Sequence, residues 1–250
     1  AKEFILPKEL LEQDCVISLS KMKTHALERI TGAVKNSYGF VYGFHKAKGH
    51  TQYPSADSFA RMLIDLNKCV APKLYVMDGI VAMEGNGPGS GDPVPMNVLL
   101  MSTDPVALDS VFSRLVYLKP EMVPTNYHGE KMGLGTWKEE EITLLTPDGE
   151  ISMAEAVKKY GNPAFNVDRT EVRKNIWTRM AGALNIFQKK PYIEADKCVR
   201  CGICVQSCTV PGKAVDFRKG KGKPPVYDYR KCIRCFCCQE MCPKKAIKVK

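Results

Sequence analysis

The run CVRCGICVQSC, residues 198–208, returns after 23 intervening residues as CIRCFCCQEMCP, residues 232–243. Each run sets three cysteines with two residues between neighbours and a fourth after three more: Cys198, Cys201, Cys204, Cys208, then Cys232, Cys235, Cys238, Cys242 and Pro243. The flanks repeat too. A shift of 34 residues lays 197–201 (KCVRC) on 231–235 (KCIRC) and sets 192–196 against 226–230, a strand leading into each run. Ala214-Val215 and Ala246-Ile247 begin matching strands on the way out. Two copies of one strand–loop–helix–strand unit predict a single module with a pseudo-twofold axis. Thiolates at this spacing are metal ligands. Three close together wrap one compact centre, while the fourth lies too far along the chain and reaches a neighbouring one. A pair of four-cysteine zinc sites is the competing reading.

The spacing resembles that of bacterial two-cluster ferredoxins. That resemblance implies two 4Fe–4S clusters, one on Cys198, Cys201, Cys204 and Cys242, the other on Cys232, Cys235, Cys238 and Cys208. It also implies an α+β ferredoxin-like domain over residues 191–250 that carries electrons. Two features depart from the pattern. After Cys208 the proline comes two residues late, at Pro211, and 217–225 (FRKGKGKPP) lengthens the connection between the halves. Gly, Pro and Lys there read as an exposed basic hairpin loop, for solubility or for docking a partner. Cys237 aligns with Ile203 and reads as a small buried hydrophobe rather than a ligand or redox thiol.

Charge divides the chain at the same place. Residues 191–250 hold 14 Lys and Arg against 5 Asp and Glu, and residues 1–190 hold 23 against 22. The excess suits negatively charged clusters or an acidic soluble electron carrier or redox complex. No nucleic-acid motif or aromatic–basic alternation accompanies it, so nucleic acid is not an expected partner. Of eleven cysteines, Cys15 and Cys69 stand apart from the runs. Metal-binding thiolates need a reducing compartment, and no apolar run nears the roughly 18–20 residues of a membrane span, so a cytoplasmic location is expected.

Upstream, strands and helices alternate. Cys15–Leu19, 74–77, 98–101 and 142–145 read as strands. Residues 54–70, 104–118 and 152–160 read as helices, 146–150 as a turn, and Asp104-Pro105 makes a good helix start. This predicts an α/β domain over 1–160 with a parallel or mixed sheet, then a helical linker over 161–190. The linker helix, 169–187, carries Trp177, which suits core packing or an electron conduit.

Ligands of such sheets bind in loops at the carboxyl ends of strands. Three segments are expected there: Lys21, Lys23, Thr24 and His25 leading to Lys35 and Asn36; Asp78-Gly79 with the glycine loop 84–91 (EGNGPGSG); and the helix start at Asp104. Lysines, a histidine and backbone N–H groups together favour a small anionic ligand. Each segment has an ordinary reading as well: a surface loop, a solvated lysine face, a turn cap at Asp78. The loop matches neither a Walker A nor a G-x-G-x-x-G sequence. Among histidines, His25 and His50 stand ahead of His45 and His128.

Taken together, KMKTH, TGAVKNSYG, His50, MDGIVAMEGNGP and STDPVALD resemble the proteins grouped as domain of unknown function 362 (DUF362). Lys21, Lys23, Thr24, His25, Lys35, Asn36, His50, Asp78, Gly87 and Asp109 match the motif positions of that family, without an assigned reaction. The resemblance further implies a preceding segment with its own strands, so that the N-terminal part of the domain is absent here or supplied by another chain. A sheet edge or core face would then be open. The expected function is an iron–sulfur electron-transfer protein, an oxidoreductase if Lys21, Lys23, His25, Lys35, His50 and Asp78 build a redox or anion site. The alternative is an electron-relay or docking subunit of a larger redox complex. A third reading gives the clusters a structural role only.

Overall fold

The computed structural model describes residues 1, 3–42, 45–171 and 189–249. The chain divides into two compact units, Ala1–Asp168 and Arg169–Lys250. The expected linker helix, with Trp177, falls outside the described residues except at its first positions, which are irregular.

The first unit is built on strands β1 (Ile17–His25), β2 (Arg29–Thr31), β3 (Leu74–Glu84) and β4 (Asp92–Ser102), in the order β2-β1-β3-β4. Strands β1 and β3 run parallel, and the other two contacts are antiparallel, so the sheet is mixed. Its helices are α1 (Lys8–Leu11), α2 (Ala33–Asn36), α3 (His45–Gln52), α4 (Ala56–Val70), α5 (Pro105–Leu115), α6 (Pro124–Lys131) and α7 (Met153–Tyr160). Helix α4 makes the crossover between the parallel strands. Ser55 caps its start in a reciprocal pair with Ser58, and Ala71 closes it in the left-handed region. Its buried residues Phe59, Met62, Leu63 and Leu66 recur at helical spacing and meet Val34, Tyr38 and Val106 in one core. The inner sheet face, through Met22, Tyr75, Met77, Met96 and Val98, packs on Leu108, Val111, Phe112 and Leu115 of α5 in another.

Three sequence expectations need correction. First, β1 runs on through Lys21, Lys23 and His25, and β3 through Asp78-Gly79, so these residues lie within strands rather than after them. The Asp-Gly pair is turn-like in sequence, but Gly79 sits where a Cβ would meet Val98 Cγ2 at 2.8 Å, as close packing inside a sheet requires. Second, β4 returns antiparallel, Tyr75 opposite Ser102. The helix start at Asp104 therefore lies at the other end of the sheet from the glycine loop. Third, the strand near 142–145 is Leu144–Thr146 (β5), and it pairs with Gly149–Ile151 (β6) as a separate hairpin.

The outer sheet face is apolar and open. Ile17, Leu19, Leu99 and Met101 are 54%, 72%, 55% and 64% exposed. Leu19, Val76 and Met101 are direct neighbours across three strands.

In the second unit, β7 (Pro191–Ile193) pairs antiparallel with β10 (Ile247–Val249), and β8 (Val215–Asp216) with β9 (Val226–Tyr227). Each leading strand thus pairs with the outgoing strand of the other repeat. The backbone obeys the repeat as well: φ is 59° at Arg200 and 58° at Arg234, 79° at Gly202 and 60° at Phe236, 47° at Lys213 and 50° at Lys245. The leading strands are shorter than expected, ending at Ile193 and Tyr227. Short helices Ile203–Gln206 and Cys237–Glu240 follow the cysteine loops, and the basic segment 217–225 joins β8 to β9.

Candidate functional site

The cysteines gather around two cavities. Cys198, Cys201, Cys204 and Cys242 line the first, with Ile193, Ile203 and Ile247. Cys208, Cys232, Cys235, Cys237 and Cys238 line the second, with Val215, Tyr227 and Phe236. The pseudo-twofold pairing produces this: each run curls three cysteines round its own loop, and the short helix after it carries the chain to the fourth, beside the other half. None of them is paired in a disulfide. Cys237, aligned with Ile203 and 9% exposed, is buried as expected, but it also borders the second cavity.

Donors point at the sulfurs. Ala214 N–H donates to Cys208 Sγ at 3.3 Å and Ala246 N–H to Cys242 Sγ at 3.3 Å, the same bond in both repeats. Tyr227 O–H donates to Cys238 Sγ at 3.1 Å. Burial pushes the Cys204 thiol up to about 11 and the Cys238 thiol up to about 12. The Cys237 thiol donates to Cys235 and holds it low, while Cys237 itself is pushed up by the same bond and by burial. Thiols so buried become thiolates together only when a cation takes up their charge, which releases their protons. Among the described residues no three His, Cys, Asp or Glu side chains converge on a single ion. Four thiols spread round a void, with N–H donors behind them, fit a polynuclear iron–sulfur centre in donor type and in surroundings.

The motifs of the first unit part company. Lys21 Nζ lies 2.6 Å from Asp78 Oδ2, directly across β1 and β3. The Lys21 hydrogen bond and the Ile80 N–H hold the Asp78 carboxyl below its usual range. His25 is buried, and its Nδ1 accepts from the N–H groups of Leu27 and Glu28 at 3.1 Å each, closing the β1–β2 turn. His50 stacks on Phe59, centroids 4.4 Å apart, inside the α4 core. Asn36 ties α2 to β1 through Ser18 Oγ and the Leu19 carbonyl. Asp109 accepts from Ala33 N at 2.5 Å and Val34 N at 3.1 Å and so caps α2 from a different helix. Gly32 makes room for it, since a Cβ there would lie 1.9 Å from Asp109 Oδ1.

The glycine loop does meet the end of β1. Thr24 Oγ1 donates to the Gly85 carbonyl at 3.0 Å, and a Cβ on Gly87 would lie 2.2 Å from the Thr24 carbonyl. Two of its N–H groups serve the fold: Gly85 N–H donates to the Asn166 carbonyl and Gly87 N–H to the Gly85 carbonyl. Lys23 is half-buried, opposite Thr31 and Met83. Lys35 stands on α2, and its charge bears on Glu28.

Glu28 escaped the sequence reading. It is fully buried, and neither carboxylate oxygen has a hydrogen-bond partner among the described residues. Burial pushes its carboxyl well up, against the pull of Lys35 and with a further push from Asp57. Nothing in ALERI marks a buried glutamate, since one Glu in a turn reads as a solvated one. Tyr227 was missed for a similar reason, as its repeat partner is Ile193 and neither side chain shows its direction in sequence.

Residues 1–114 match the family model of a domain of unknown function (DUF362), and residues 190–243 match that of a 4Fe-4S dicluster domain. Both resemblances read from the motifs are thereby found. The Thylakoid-associated protein sll1697 of Synechocystis sp. is 42% identical over 130 residues, 52% of this chain and 40% of that protein. This chain thus spans two fifths of that relative's length. No solved structure matches the chain. No helix among the described residues is long and apolar enough to cross a membrane.

Proposed function

We propose that this chain, a DUF362 domain joined to a 4Fe–4S dicluster domain, is an electron-transfer protein holding two 4Fe–4S clusters. The first has Cys198, Cys201, Cys204 and Cys242 as ligands, and the second has Cys208, Cys232, Cys235 and Cys238. The observation that carries this reading is the sorting of the eight regularly spaced cysteines into two cavities, each taking three from one run and the fourth from the other, with Cys237 also bordering the second. When bound, such clusters each accept and release one electron without breaking a bond. The chain's own part is to wrap the sulfurs, direct Ala214, Ala246 and Tyr227 donors at them, and keep the apolar walls dry. Cys201 is exposed, and that side is the port for exchange with a partner. The basic loop, with Lys219, Lys221 and Lys223, favours an acidic carrier there. The test is an anaerobic reductive titration, in which the holoprotein should take up about two electron equivalents per chain. Uptake of none would end the proposal.

The first unit then contributes the site these electrons serve, beside the β1–β2 turn, where Glu28, Lys23 and Lys35 lie on neighbouring elements. Support comes from Glu28, a buried carboxyl without a hydrogen-bond partner among the described residues, which can hold or give up a proton beside a small anionic ligand. A thermal-shift screen of phosphates and small carboxylates, on wild type and Lys23→Ala, tests the site. A stabilising anion whose effect Lys23→Ala abolishes supports it. No shift with any anion counts against it.

The second reading is a relay or docking subunit without a reaction of its own. The open apolar sheet face favours it, because monomers seldom leave contiguous apolar area uncovered. A holoprotein that exchanges electrons with a carrier but binds no anion would support this reading.

A further inference from the structure

The two cysteine cavities are built alike except at two positions of the repeat. Both have the backbone donor from the outgoing strand, Ala214 to Cys208 and Ala246 to Cys242, each at 3.3 Å. The repeat equates Cys238 with Cys204 and Tyr227 with Ile193. In the second cavity the Tyr227 hydroxyl donates to Cys238 Sγ at 3.1 Å, whereas in the first the equivalent wall is hydrocarbon. Cys237 adds to the difference: a thiol stands beside Cys235 where Ile203 stands in the other half.

From this asymmetry we infer that Tyr227 is a positioning residue that sets the two centres at different reduction potentials, the Cys208/Cys232/Cys235/Cys238 centre the higher. The inference rests on the two-cluster reading. A reduced cluster is one charge more negative than an oxidised one, so a donor to its sulfur stabilises the reduced form more. Cys238 is only 8% exposed, and at low dielectric such a bond is stronger than in water. The Tyr227 ring stacks on that of Tyr229, centroids 5.6 Å apart. With clusters bound, an electron from a one-electron reductant would rest mainly on the one held by Cys208, Cys232, Cys235 and Cys238. No bond breaks, and Tyr227 keeps its proton.

The experiment is a potentiometric titration of the anaerobic holoprotein followed by electron paramagnetic resonance. Wild type should show two separate potentials. Tyr227→Phe keeps the stacked ring and loses only the donor, so the higher potential should fall by about 59 mV, a tenfold shift in where one electron sits, and the lower should stay. Tyr229→Phe removes a hydroxyl that donates to the Pro191 carbonyl and should move neither, which separates the hydrogen bond to sulfur from packing. Should Tyr227→Phe lose iron, 3-fluorotyrosine at 227 keeps the hydroxyl, makes it a stronger donor, and should raise the higher potential. Coincident wild-type potentials overturn the inference. So do full iron content with both potentials unmoved in Tyr227→Phe, or no rise with fluorotyrosine. A wild type without iron–sulfur signals instead overturns the reading beneath it.

Discussion

Asp109 shows what a family-like motif can be for. Its carboxylate caps α2, and the glycine at Gly32 exists to admit it, so two motif positions far apart in sequence form one structural joint. Asp109→Ala should cost about 1–2 kcal/mol, as other lost caps do, measured by urea unfolding. Its pH behaviour has a definite sign. Burial raises the carboxyl from 3.8 to about 7, against the pull of the Ala33 and Val34 N–H groups. Between those values the folded chain holds a proton that the unfolded chain has lost. The stabilisation is full below about 3.8 and is lost as pH rises through about 7. Unfolding midpoints across this window should fall less steeply in Asp109→Asn than in wild type, and equal slopes would refute the assignment. Cys237 is the other residue with a sharp expectation. Cys237→Ala should keep its full iron content and Cys235→Ala should not. Iron lost from Cys237→Ala would mean that the repeat misassigns a ligand.

Among elements, the cysteine module was the most legible, because a repeat fixes spacing, pairing and backbone conformation at once. Helices with strong periodicity were legible too, and Ala56–Val70 and Pro105–Leu115 lie within the spans expected for them. The strands were legible in place but not in extent, direction or partner, because local sequence carries no record of what lies across a sheet. Asp78-Gly79 looks like a turn until Lys21 stands opposite it and Val98 packs beside it. The return of β4 could not be read from Asp92–Ser102, whose residues suit either direction. Asn67 was invisible for the same reason. Buried on α4, it donates to the Val34 and Leu63 carbonyls and accepts from Ser37 and Tyr75, joining two helices and a strand. Asn67→Leu should destabilise the unit by about 1–3 kcal/mol through the groups left unpaired, with unfolding by calorimetry as the measure. The basic segment between β8 and β9 makes an element-scale prediction of its own. If Lys219, Lys221 and Lys223 steer an acidic carrier, its reduction rate should fall with added salt and with charge reversal in the loop. Rates indifferent to both would leave solubility as the role of those lysines.

For the whole molecule, the division of charge, the division of cysteines and the two compact units fall along the same line in sequence, within about twenty residues of each other. The part that binds metal is basic, and the part that carries the mixed sheet is close to neutral. The candidate site in the sheet unit was only half legible. Lys21, His25, His50, Asp78 and Asp109 stood out by residue type, yet each is engaged in pairing, turn closure, stacking or capping, and Glu28, whose buried carboxylate lacks a hydrogen-bond partner among the described residues, did not stand out. The account depends most on the clusters themselves. Anaerobically purified chain, assayed chemically for metal and acid-labile sulfide, should contain about eight iron and eight sulfide per polypeptide, with the reduced spectrum of two interacting 4Fe–4S centres. Zinc in place of iron, or a content near four, would contradict it.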